Sequence, residues 1–145
     1  MIEINIIKEK KRDIYSSFYS QSYSSKFFFK SILHHVISLE VYENNNSDGI
    51  SFETICSNVP KSIGSRSSIQ AILNDALKSD IFSKFQCKKD KRIKNYYLSD
   101  TYFDLINKWI KKEESYFTSR NGGWFENYFC DIWKKIYFKI RKKNA

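Results

Sequence analysis

A chain of 145 residues with 41% hydrophobic side chains can bury one substantial core but not two independent ones, so residues 1–145 are read as a single domain. The net charge of +9 is one-sided: residues 1–82 carry nine groups of each sign, whereas residues 83–145 carry sixteen basic and seven acidic groups. Such a field gathers polyanions, with nucleic acid the commonest and an anionic membrane surface the rival.

The opening "MIEINIIKEKKRD" puts a short apolar run ahead of charge, the reverse of a secretory signal. No stretch approaches the roughly 20 apolar residues of a spanning helix, so the expected setting is cytoplasmic, without membrane. From Ser25 to about Tyr42, Phe28, Ile32, Val36 and Leu39 recur beside Phe29, Leu33 and Ile37, which predicts one largely buried helix. The cluster "ENNNSDG", 43–49, ends it in a loop.

Ser51 can cap a short helix with Phe52, Ile55, Cys56 and Val59 on its apolar face, and Pro60 disfavours helix at Val59. After a tight connection from Lys61 to Gly64, Ser65 can cap a second helix, 65–78, whose apolar stripe is Ile69, Ile72, Leu73, Ala76 and Leu77. Two short amphipathic helices joined in this way have the spacing of a helix-turn-helix. Opposite the stripe lie Ser67, Gln70, Ala71, Asn74 and Lys78. Hydroxyl and amide groups both donate and accept at base edges, whereas carboxylates would repel phosphates.

"IFSKFQCKK" then alternates Ile81, Phe85 and Cys87 with Lys84, Gln86 and Lys88, and "NYYLSD" supplies a second strand with Tyr96 and Leu98 in phase. Between them come Lys88, Lys89, Asp90, Lys91, Arg92 and Lys94. The pattern is a hairpin, 83–99, with an apolar stem that packs on the helices and a cationic tip for a phosphate backbone or minor groove. Directly after a helix-turn-helix, such a hairpin is a wing.

Residues Ser51 to Asp100 resemble the MarR family of winged helix-turn-helix transcriptional regulators. "IGSRSSIQAILNDALKSDIF" is similar to that family's recognition-helix segment, and "DKRIKNYYLS" to its wing, with Asp90, Lys91, Arg92, Leu98 and Ser99 in register. The resemblance implies that Arg92 enters the minor groove, that Asp90 orients it through a carboxylate–guanidinium contact, and that Ser65, Arg66, Ser67, Ser68 and Gln70 begin the groove-facing helix. Ala71 replaces a basic reading residue found in many members, Asp80 replaces the usual glycine before the wing, and the stretch ahead of the buried helix is short beside the family's first dimerisation helix.

Tyr102, Leu105, Ile106, Trp109 and Ile110 predict a helix after the wing, which Gly122-Gly123 breaks. In the last segment Trp124, Tyr128, Ile132, Ile136 and Ile140 form one row and Phe125, Phe129, Trp133 and Tyr137 the next, with lysines crowding its C-terminal half. A stripe this long and aromatic exceeds what one small domain covers. Pairing with a second copy would bury it and set two reading helices about one DNA turn apart. A helix folded on its own core and a basic amphipathic helix on a membrane are the rivals.

The fold expected is therefore mainly α with a small β-hairpin wing: a winged helix-turn-helix, core 25–100, with terminal dimerisation helices in 101–145. Its expected function is sequence-specific duplex-DNA binding as a homodimer to regulate transcription. Lys61, Arg66, Lys84 and the tip cations would contact phosphates, and Ser67, Gln70 and Asn74 would read bases. The alternative is a winged-helix interaction or architectural module that uses the aromatic C-terminal helix. MarR-like dimers often have an effector crevice, which the many aromatics could line.

No phosphate loop, HExxH pattern or nucleophile elbow occurs, so no enzyme, cofactor or metal is expected. Cys56, Cys87 and Cys130 form no CxxC pair, and Cys56 reads as core. Cys87 and Cys130 could sense oxidants only if nearby lysines stabilised their thiolates. His34 and His35 are adjacent, point about 100° apart on a helix, and read as core or groove-lining residues.

Overall fold

The structure, a computed structural model, describes residues 2–118. It divides into two compact units, Met1–Asn107 and Lys108–Ala145. The expected dimer stripe from Trp124 to Tyr137, and Cys130 within it, lie outside the described residues.

In chain order the elements are α1 (Ile2–Tyr19), α2 (Tyr23–Phe29), α3 (Ile32–Asn44), β1 (Ile50–Ser51), α4 (Phe52–Asn58), α5 (Arg66–Lys78), β2 (Phe82–Gln86), β3 (Lys94–Leu98) and α6 (Asp100–Thr118). They form a winged helix: helices around a three-stranded antiparallel sheet of order β1-β3-β2. No helix among the described residues is long and apolar enough to cross a membrane.

Two helices replace the single one expected from Ser25 to Tyr42. Ser31 is extended, with φ −156° and ψ 166°, and its hydroxyl accepts from the His34 amide, capping α3 where α2 has just ended. Ile32, counted in the buried stripe, is consequently 60% exposed, whereas Phe27 and Phe28 are fully buried. The short N-terminal stretch is itself an eighteen-residue helix, α1. Ile4, Ile7, Tyr15 and Phe18 lie exposed along it.

The core joins every layer of the first unit. Ile37 and Val41 from α3, Ile55 from α4, Ile69 and Leu73 from α5, Tyr96 from β3, and Tyr102 and Ile106 from α6 are all buried. Phe27 is its aromatic hub, edge-on to His34, Phe82 and Tyr102 with ring centroids 4.9, 6.0 and 6.1 Å away. Phe82 thereby roots the hairpin in the helical core. Both histidines belong to this interior. His34 Nδ1 meets the Ser31 hydroxyl at 2.7 Å, and His35 Nδ1 meets the Phe28 carbonyl at 3.1 Å. Burial lowers both imidazole pKa values, and the charge of Lys30 adds to the effect at His34.

Candidate nucleic-acid interface

The turn and the two helices follow local chemistry closely. Ser51 caps α4 by accepting from the Thr54 amide, and Ser65 caps α5 by accepting from the Ser68 amide, each at 3.2 Å. Val59 leaves the helix at φ −78°, ψ 122°, the extended conformation that a following proline demands. Ile55 and Val59 are buried, but Phe52 and Cys56 are only half-buried, so Cys56 is not a core residue as its spacing suggested. Partial burial raises its thiol pKa, which disfavours the reactive thiolate.

On α5 the expected stripe points inward, with Ile69, Ile72, Leu73 and Ala76 buried and Leu77 half-buried. Ser65, Arg66, Ser67, Ser68, Ala71, Asn74 and Lys78 are exposed and Gln70 is half-buried. The three serine hydroxyls gather at the helix start, Ser65 lying 3.0 Å from Ser67 and 2.9 Å from Ser68. One turn on, the Gln70 amide donates to Asn74 Oδ1 at 3.0 Å. That bond uses a Gln70 N–H and Asn74 Oδ1, so the Gln70 side-chain oxygen keeps its capacity to accept and the Asn74 amino group its capacity to donate.

Arg66 is engaged rather than free. Its guanidinium forks onto the Glu53 carboxylate of α4 at 2.9 and 2.7 Å and lies over the Phe52 ring, 4.9 Å from the centroid. The hydrogen bond from Arg66 lowers the Glu53 carboxyl pKa, and that same bond raises the pKa of Arg66. Lys61, in the turn between the helices, is exposed.

The hairpin begins four residues after α5. Its register pairs Phe82 with Leu98, Lys84 with Tyr96 and Gln86 with Lys94. The stem's apolar face differs from the expected alternation: Phe82 and its neighbour Ile81 are buried, whereas Phe85 is 61% exposed and meets Tyr97 with ring centroids 5.8 Å apart. Since Lys84 faces Tyr96 across the ladder, its ammonium sits over that ring, 4.8 Å from the centroid.

Residues 88–94 are all exposed, and no other described segment covers the tip. Asp90 orders it differently from the expectation of a guanidinium contact: its Oδ1 accepts the Arg92 backbone amide at 2.9 Å, an Asx-type turn that Ile93 N–H closes onto the Asp90 carbonyl at 3.0 Å. Cys87 N–H donates to the Ile93 carbonyl at 2.8 Å below it. Lys89 reaches Asp48 at 3.6 Å. Among the described residues Lys88, Lys91, Arg92 and Lys94 show no ion pair.

What aims the wing comes from the loop after α3, whose residues do more than end that helix. The Asp48 carbonyl accepts from Asn95 Nδ2 at 2.6 Å and from the Tyr97 hydroxyl at 2.8 Å, and Asn45 Oδ1 accepts the Leu98 amide at 2.7 Å. Gly49 makes this approach possible, with φ +72° and space so tight that a Cβ would lie 2.7 Å from the Tyr97 ring and 2.9 Å from the Tyr96 carbonyl oxygen. Ile50 and Ser51 then pair with Tyr96 and Asn95 as an edge strand. The Asn-Asp-Gly content of "ENNNSDG" was the available signal for such a turn. Asp80, in the position of the expected glycine, keeps the left-handed backbone at φ +55°.

Among the described residues no group of three or more His, Cys, Asp or Glu could hold a metal ion. No family model matches this sequence, and no curated protein matches it. Solved structures do. S. aureus MepR bound to ethidium bromide is similar at a TM-score of 0.54 and 14% identity, covering 99% of this chain and 94% of MepR. The heme sensor protein PefR from Streptococcus agalactiae, in complex with heme, is similar at a TM-score of 0.48 and 19% identity, over 98% of this chain and 88% of PefR. At such identities the likeness is one of fold: the chain has the winged-helix architecture found in MarR-family regulators such as MepR.

Proposed function

We propose that this chain is a duplex-DNA-binding transcriptional regulator that acts as a homodimer, its chemistry being recognition without catalysis. The observation that carries the reading is the exposed, hydroxyl- and amide-rich face of α5 followed at once by an exposed hairpin tip with five cations in seven residues. Ser67, Gln70 and Asn74 supply base-edge donors and acceptors. Lys61, Arg66, Lys84, Lys88, Lys89, Lys91, Arg92 and Lys94 supply phosphate contacts, and Arg92 is the minor-groove residue. Dimerisation through the aromatic rows of residues 124–137 doubles the site and makes the preferred sequence a palindrome. A small-molecule effector belongs to the same proposal, in keeping with the ethidium bound to MepR.

A mobility-shift selection from a pool of random duplexes tests this. Enrichment of a two-fold symmetric site supports both DNA reading and dimer. A pool that stays unshifted at low salt overturns the proposal.

A further inference from the structure

Residues 51–78, the helix-turn-helix, hold only two acids, Glu53 and Asp75, and both are engaged. Asp75 accepts from the Tyr23 hydroxyl at 2.7 Å, which ties α5 to α2. Glu53 lies in the first turn of α4, where a negative charge suits the helix dipole, and its described partner is Arg66 of α5. It is exposed, its partner Arg66 is exposed, and their side chains retain 72% and 61% of their accessibility. An ion pair this open contributes little to stability. Its geometry is nevertheless well defined: both terminal nitrogens of the guanidinium meet both carboxylate oxygens while the planar group rests on Phe52. A phosphate accepts the same bidentate fork.

Resting on the DNA reading above, we infer that Glu53 is an internal stand-in for a DNA phosphate, an autoinhibitory counter-anion that must be displaced before Arg66 can engage the backbone. Phe52 holds the guanidinium plane while the anion is exchanged, so the swap needs no movement of α5. The effect is to subtract one cation from weak, sequence-independent encounters. A correctly seated complex recovers it, because the phosphate is then fixed beside Arg66. Glu53 thus sharpens the ratio of specific to non-specific binding without touching a base.

The test is fluorescence anisotropy with a random-sequence duplex, on wild type, Glu53→Gln, Arg66→Ala and the double variant. Thermal melts establish that each folds, and Arg66→Lys serves as a second variant that keeps the charge but loses the planar fork. Glu53→Gln is expected to tighten random-duplex binding about threefold to tenfold at low salt and to steepen the dependence of log K on log salt by about 0.9, the signature of one more phosphate contact. In the Arg66→Ala background the same change is expected to do much less. Equal tightening in both backgrounds, or none in either while wild type binds, overturns the inference and leaves the DNA reading standing. Absence of duplex binding by every variant overturns that reading and this inference with it.

Discussion

Ser38 and Tyr102, 64 residues apart, meet hydroxyl to hydroxyl at 2.7 Å in the buried interior. Ser38 has one proton and gives it to the His34 carbonyl at 2.7 Å, so Tyr102 must be the donor to Ser38. α3 and α6 are joined by this chain of two bonds. Ser38→Ala leaves the phenol buried without an acceptor and is expected to cost about 1–3 kcal/mol. Tyr102→Phe removes the donor itself and should cost about 0.5–1.5 kcal/mol. Chemical denaturation of both single variants and the double checks the order, and an equal or smaller loss for Ser38→Ala would contradict the assigned direction.

The same tyrosine makes a prediction at alkaline pH. Burial raises its pKa above the usual value of 10.0, against a smaller opposing effect from Ser38. The unfolded chain therefore loses this proton near pH 10 while the folded chain keeps it, so stability is intact below pH 10 and falls above it. Tyr102→Phe should show a shallower loss of melting temperature between about pH 9.5 and 11 than wild type.

His34 and His35 make the opposite prediction at acid pH. Their folded pKa values lie below the usual 6.5, chiefly through burial. The unfolded chain takes up protons first, so stability is present above about pH 6.5 and declines as pH falls below it. His35→Gln should flatten the melting temperature between about pH 6.5 and 5, whatever it costs at neutral pH. An unchanged slope would show that other groups set the acid response.

The wing's foundation is tested at two backbone positions with positive φ. Gly49→Ala forces a Cβ against the Tyr96 carbonyl oxygen and the Tyr97 ring, and should destabilise by about 1–3 kcal/mol. Asp80→Gly relieves the left-handed strain at φ +55° and should be neutral to about 1 kcal/mol stabilising. Denaturant midpoints compare the two directly.

The parts of the fold that could be read from the sequence are those where one local rule settles the matter. Ser51 and Ser65 stand just ahead of apolar residues at helical spacing, Pro60 ends the first helix, and the α5 stripe is buried at Ile69, Ile72, Leu73 and Ala76, with Leu77 half-buried at its end. Local patterns mislead where two signals overlap. Phe27 to Phe29 and Ile32-Leu33 flank Lys30-Ser31 so closely, and at helical spacing, that the capping role of Ser31 is masked and one helix is inferred where two exist. Ile81 and Phe82 are both buried because the chain enters the strand between them, so counting alternation from Ile81 shifts the phase by one and puts Phe85 on the wrong face. Glu53, Asn45 and Asp48 act through partners distant in sequence, Arg66 in the next helix and the β3 strand 47 to 53 residues on, and no local pattern marks such pairs.

The most direct test of duplex recognition by α5 and the wing is the salt dependence of duplex affinity for wild type and for Lys91→Ala with Arg92→Ala. With about four to six phosphate contacts per subunit, wild-type affinity should fall at least about a thousandfold between roughly 50 and 200 mM salt. The double variant should bind far more weakly, with a slope shallower by about two per subunit and unchanged oligomeric state. A wild-type affinity indifferent to salt, or a double variant that binds duplex as tightly as wild type, would contradict the account.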